Sequence, residues 1–203
     1  MSAAPQLKVH PDDTIDDMHA QRDTTYARLM ALCSSGGLNA HLFARMLSGT
    51  SAGEGSMAAR LGLSTDDYHQ MLAQFFSGFD WPQDPYQRGE LDVDRLPERD
   101  DLIALLLEYR ANNDVSERWV AEIISAACMG MDHLWQDLGL WSRRDLSEMM
   151  KYNFPALAEK NNRDMKWKKF LYKQLCEREG IYVCRAPSCD VCNDYANCFG
   201  PEE

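Results

Sequence analysis

The chain has 203 residues, with 21 Lys and Arg against 32 Asp and Glu, for a formal net charge of −11. A 45% hydrophobic share with 10% aromatics excludes a disordered chain, and the length predicts one domain that buries its own core. The acidity argues against a general nucleic-acid binder, and no apolar run reaches the roughly 18 residues of a membrane span.

The expected setting is soluble and cytoplasmic, since Met1–Asp13 carries no basic region followed by an apolar one. Residues 1–15 are polar and Pro-containing and are expected to be loose. From Asp16 the apolar positions Met18, Tyr26, Leu29, Met30 and Cys33 recur near the helical period, until Gly36 and Gly37. A second helix is predicted over His41–Leu47, and the Gly- and Ser-rich stretch Ser48–Ser56 reads as a loop. Two short helices follow, near Met57–Leu61 and Thr65–Phe76, the second with Ser64 as its N-cap. Pro82, Pro85 and Pro97 among many acids make residues 80–100 the longest irregular connection.

A helix over Asp100–Arg110 carries Leu102, Leu105, Leu106 and Tyr109 on its apolar face. The longest predicted helix runs from Glu117 to Gly139, its stripe formed by Val120, Ile123, Ile124, Ala127, Met131, Leu134 and Leu138. Ser142 with Asp145 reads as a capping box for the next helix, and Asn153 with Pro155 starts another. The last helix spans Arg163–Glu179 and stops at Gly180. No segment alternates as a strand does. The pattern predicts an all-α fold: one helical domain over residues 16–180 and an irregular, cysteine-bearing, metal-binding segment over 181–203.

Of seven cysteines, at 33, 128, 176, 184, 189, 192 and 198, four lie in the last twenty residues. An odd count without an export signal argues against a disulfide framework and for metal binding or redox work. Cys184, Cys189, Cys192 and Cys198 are spaced C-x4-C-x2-C-x5-C, so four thiols within fifteen residues can face one centre, with Pro187, Asn193 and Gly200 for the turns. Structural zinc usually takes two close pairs, whereas here only the middle pair is close. An iron–sulfur cluster, each corner of which binds its own thiolate, tolerates that spacing. On chemistry alone an iron–sulfur site, a zinc staple and a thiol redox site all stay open.

Charge is divided along the chain. Between Lys151 and Arg185 stand nine basic and four acidic residues, a local +5, against a local −16 elsewhere. Lys166, Lys169 and Lys173 share one face of the last helix, opposite the stripe Trp167, Phe170, Leu171 and Leu175. This is either a solvated face over a core helix or an attractor for an oxyanion, an anionic cluster or an acidic partner. Cys176 and Cys128 sit at core addresses. His133, five residues after Cys128 and one turn before Asp137, is an accessory ligand candidate together with Cys128, against the plainer reading of an interhelix histidine. No catalytic constellation is recognisable, so the residues do not point to an enzyme.

The segment Met165–Gly180, followed by the cysteine spacing and Phe199-Gly200, resembles the NifQ family of nitrogen-fixation proteins involved in molybdenum processing. Ala127–Leu140 and Phe154–Leu157 resemble it as well, so the likeness is strong over residues 115–200 and loose before them. The resemblance implies an iron–sulfur cofactor of 4Fe-4S or 3Fe-4S type, able to become Mo-3Fe-4S, held by Cys184, Cys189, Cys192 and Cys198. It implies donation of molybdenum, obtained from molybdate or another source, to the nitrogenase iron–molybdenum cofactor. The implied partners are the NifEN scaffold and the nitrogenase iron protein. The rival functions are a zinc-stapled interaction module and an iron–sulfur electron-transfer protein.

Overall fold

The structure is a computed structural model that describes residues 11–34, 36–79, 88–95 and 97–179. Among them lie α1 (Pro11–Ala31), α2 (Leu38–Ser51), α3 (Thr65–Phe75), α4 (Arg99–Glu108), α5 (Val115–Ala127), α6 (Leu134–Asp137), α7 (Arg143–Asn153), α8 (Pro155–Lys160) and α9 (Trp167–Glu179). Two 3₁₀ turns, Ala59–Gly62 and Val93–Arg95, complete the order, and no strand occurs among the described residues. The fold is all-α, as the periodicity predicts. No helix among these residues is long and apolar enough to cross a membrane.

Helix α5 is the centre. Its Trp119, Val120, Ile123 and Ile124 are fully buried, because apolar residues recur at three- and four-residue steps on its inner face. Trp119 meets Phe75 edge-on at 6.4 Å between ring centroids, and Phe75 in turn meets Phe43 of α2 at 5.1 Å. Burying an indole requires a partner for its N–H, and Trp119 Nε1 donates to Asp67 Oδ1 at 3.1 Å. A second buried polar group ties three helices together. Asn39 Nδ2 of α2 donates to Asn153 Oδ1 at the end of α7 (2.8 Å) and to Ser116 Oγ of α5 (2.9 Å). Asn153 Nδ2 returns a bond to Asn39 Oδ1 at 2.9 Å, so the amides satisfy each other out of water.

The caps explain where helices start. Ser64 Oγ accepts from Asp67 N–H, as expected for α3, and Ser142 Oγ accepts from Asp145 N–H to start α7. Glu117 closes a capping box on Asp114 at the head of α5, and its carboxylate also accepts from the N–H groups of Ala111 and Asn112. Pro155 opens α8 at its first turn.

Asp67 also accepts from Arg118 Nη1 at 3.1 Å. The Arg118 bonds, with those of Ser64 and Trp119, hold the Asp67 carboxyl down at about 2 against an ordinary 3.8. A lowered folded-state value stabilises the fold above the unfolded value and loses that contribution as pH falls through the folded one. Because Arg118 is partly exposed, screening limits the contribution to about 1 kcal/mol at neutral pH. Asp67→Asn is therefore expected to lower the melting temperature at pH 7, with the difference shrinking below pH 4 and vanishing near pH 2. Thermal melts across that range check it.

Several boundaries differ from those expected. Helix α1 starts at Pro11 rather than Asp16, since proline fits the first turn; residues 1–10 lie outside the described residues. Ser48–Ser51 are helical, not loop: α2 continues to Ser51, with Ser48 and Gly49 buried. The residues around Met57–Leu61 form a 3₁₀ turn with Arg60 and Leu61 in the left-handed region. Of the 80–100 connection, residues 80–87 and 96 lie outside the described residues, and α4 begins at Arg99. The expected long helix is interrupted. It ends at Ala127, turns through residues 128–133 and resumes as α6, which leaves Met131 99% exposed instead of in the core. Helix α9 begins at Trp167, four residues after the expected Arg163.

Candidate metal centre

The break between α5 and α6 has a physical cause in one buried carboxylate. Asp137, at the end of α6, has a side chain only 1% exposed. Its Oδ1 accepts from Ser56 Oγ at 2.6 Å, and its Oδ2 is paired with Lys168 Nζ of α9. A Cβ on Gly130 would overlap that carboxylate and Ser56 Oγ, so only glycine lets the 128–133 turn wrap over it. Continuing α5 as a helix would forfeit this arrangement.

Lys168 closes the turn from the other side. Its ammonium donates to the carbonyl of Gly130 (2.7 Å) and of Asp132 (2.8 Å) as well as to Asp137. An ammonium has three protons, and all three are placed. The cation is 19% exposed and the anion nearly dry, so each neutralises a charge the other has taken from water. The result pins α9 to the α5–α6 turn.

Helix α9 buries Trp167, Phe170, Leu171 and Leu175, the stripe expected from the sequence. Lys169 and Lys173 lie on its exposed face, with Lys173 Nζ 3.6 Å from Glu177, while Lys166 is half-buried just before the helix. At the far end Arg178 approaches Glu108 of α4 at 3.3 Å, a solvent-exposed pair. The helix therefore runs from the Lys168 anchor directly toward residues 180–203.

The expected ligands Cys184, Cys189, Cys192 and Cys198 lie outside the described residues, as does the Gly180 stop. The chemistry of that donor set, four thiols in fifteen residues, fits an iron–sulfur cofactor. Among the described residues no three His, Cys, Asp or Glu side chains converge to hold a metal ion. Cys128 caps α5 and is buried, and burial pushes its thiol up to about 12, which keeps it protonated at neutral pH. His133 occupies the N-cap position of α6, its N–H donating to Gln136 Oε1 at 3.2 Å. The Asp137 carboxylate, one turn further on, is held by Ser56 and Lys168. Cys176 is half-buried on α9.

Lys168 is the residue that the sequence pattern passes over. Attention falls on Lys166, Lys169 and Lys173, which share a face, whereas the side chain with structural consequence stands beside Trp167 and three residues before Leu171. That edge-of-stripe address was the available signal, since a lysine there lays its stem on the core and its charge on whatever acceptor lies beside it.

The NifQ family model matches residues 42–200 of the chain. The chain is 39% identical over 162 residues to "Protein NifQ" of Rhodobacter capsulatus, covering 79% of this chain and 87% of that one. It is 54% identical over 115 residues to "Protein NifQ" of Azotobacter vinelandii, covering 57% of this chain and 59% of that one. To "Protein NifQ" of Klebsiella pneumoniae it is 38% identical over 155 residues, or 73% and 90% of the two chains. No solved structure matches significantly. With the match running through the Lys168 anchor and on across the four-cysteine segment, the chain belongs to the NifQ family of nitrogen-fixation proteins.

Proposed function

We propose that this protein is an iron–sulfur carrier that takes up molybdenum as cargo and donates it for assembly of the nitrogenase iron–molybdenum cofactor. The observation that carries the reading is the C-x4-C-x2-C-x5-C spacing in a chain of the NifQ family. Cys184, Cys189, Cys192 and Cys198 would hold the cluster, whose sulfides and thiolates supply soft donors for molybdenum once it has left its hard oxyanion. Lys166, Lys169 and Lys173 supply positive charge beside that segment, and their part is to draw molybdate in. The recipients are the NifEN scaffold and the nitrogenase iron protein, in the cytoplasm, and the protein's task is transfer rather than turnover.

Metal analysis of anaerobically purified protein tests this. The parent is expected to be brown, with iron and sulfide and, after molybdate, molybdenum that passes to an apo-acceptor. Each Cys→Ala variant at 184, 189, 192 or 198 is expected to lose most of its iron. The triple Lys→Gln variant at 166, 169 and 173 is expected to load less molybdenum at low salt while keeping its iron. A colourless, zinc-containing parent would refute the carrier reading.

A further inference from the structure

Helix α1 is held to the body by polar and ring contacts rather than by a core face. Of residues 16–31 only Leu29, near the C-terminal end, is buried, whereas the thirteen residues of α5 include ten buried ones. Gln21 Nε2 donates to the carbonyl of Ser51 at 2.8 Å, and Arg22 Nη1 donates to Glu54 Oε1 at 3.1 Å. Tyr26 Oη is 2.8 Å from His41 Nδ1. A helix that buries so little apolar area draws little stability from packing, and a helix of this length is marginal on its own in water.

Closing α1 leaves the surface beneath it incompletely satisfied. Arg22 Cζ stands 4.6 Å from the centre of the Trp141 ring, and the Tyr26 ring stands 4.9 Å from it. Arg45 of α2 lies over the same indole at 5.6 Å. Trp141 Nε1 and Arg45 Nε are both buried, and neither has an acceptor among the described residues. A buried donor without an acceptor is a cost that water removes, so lifting α1 off Trp141 gains hydration in exchange for a few surface contacts. The chain is fastened again just after the helix. Ser34 N–H and Oγ donate to the carbonyls of Phe75 (3.2 Å) and Gln74 (3.0 Å) of α3. Attachment is therefore firm from Leu29 onward and light before it.

We propose that α1 is a cover: residues 16–28 lift as a unit, pivoting at Leu29, and uncover Trp141 and Arg45 while α2–α9 stay folded. The contacts that close it include the Arg22–Glu54 ion pair and the Arg22–Trp141 stack, so the open population rises with ionic strength. The inference does not depend on which metal the thiols hold.

Hydrogen exchange read by mass spectrometry, on the full chain purified anaerobically, tests this. Amides of residues 19–28 are expected to exchange about 100-fold faster than those of Trp119–Ile124, and faster still when salt is raised. Glu54→Gln keeps the shape of the body and every residue of α1 but removes the ion pair. It is expected to accelerate exchange across the whole of 19–28 together by about fivefold and to leave α5 unchanged. Hydroxyl-radical labelling of Trp141, which Glu54 does not stack on, is expected to rise by the same factor. Exchange of 19–28 as slow as that of α5 would overturn the proposal. So would an acceleration confined to the residues nearest Arg22, which is ordinary fraying, or labelling of Trp141 that stays constant while exchange rises.

Discussion

Asp137→Ala is expected to destabilise the folded chain by about 3–5 kcal/mol, a large part of the total stability of a domain this size. The cost comes less from the lost attraction than from what is left behind. Lys168 would keep its charge in a place 19% exposed, with only the carbonyls of Gly130 and Asp132 as acceptors, and Ser56 Oγ would lose the partner it has at 2.6 Å. Asp137→Asn, which keeps the shape and removes the charge, is expected to fall between the parent and the alanine variant. The double variant Asp137→Leu, Lys168→Met removes both charges and is expected to recover much of the loss, because two desolvated ions have been replaced by apolar groups of similar size. Urea unfolding of the four proteins gives the coupling energy directly. A cost below about 1 kcal/mol for Asp137→Ala would mean that the pair is solvated in solution and does not anchor α9.

How much of this is legible in the sequence depends on the kind of signal. Local devices are visible. Ser64 and Ser142 cap the helices they precede, Pro155 opens α8, and the buried stripe of α9 falls where the three-four rhythm puts it. The thiol spacing is legible as chemistry without any fold at all, and the four thiols that carry it lie outside the described residues. What fails is the assumption that an uninterrupted rhythm means an uninterrupted helix. Met131 continues the apolar period of α5, but a tertiary contact ends that helix at Ala127: Asp137 folds back under Gly130 and is met there by Lys168, thirty-one residues further along the chain. Periodicity reports neighbours within a helix and carries no information about a partner that distant. The same limit hides Lys168, whose sequence neighbours Lys166 and Lys169 are more conspicuous and whose acceptors belong to another element.

Gly49 reverses a propensity argument in the same way. A glycine in the interior of α2 ordinarily costs a helix about 1 kcal/mol relative to alanine, so Gly49→Ala on propensity alone stabilises. Gly49 is buried, however, and an added Cβ would overlap the carbonyl oxygen of Gly139, in the turn that follows α6. The obstacle is backbone, not the movable end of a side chain. Gly139 itself stands at φ +67°, and the carbonyl of Gly49 is already bound by the N–H groups of Ala52 and Glu54. Neither side can withdraw without breaking its own bonds. The overlap is therefore expected to outweigh the helix gain, for a net loss of about 2–3 kcal/mol measurable by urea unfolding. Gly49→Ser should cost at least as much, since it adds the same Cβ. Because Ser56 N–H donates to the carbonyl of Asp137, two residues before Gly139, displacement at Gly49 also pushes on the carboxylate that holds Lys168. The Gly49→Ala and Asp137→Ala losses should accordingly sum to more than the double variant shows. Strict additivity would mean that the approach of α2 and the anchor of α9 are independent.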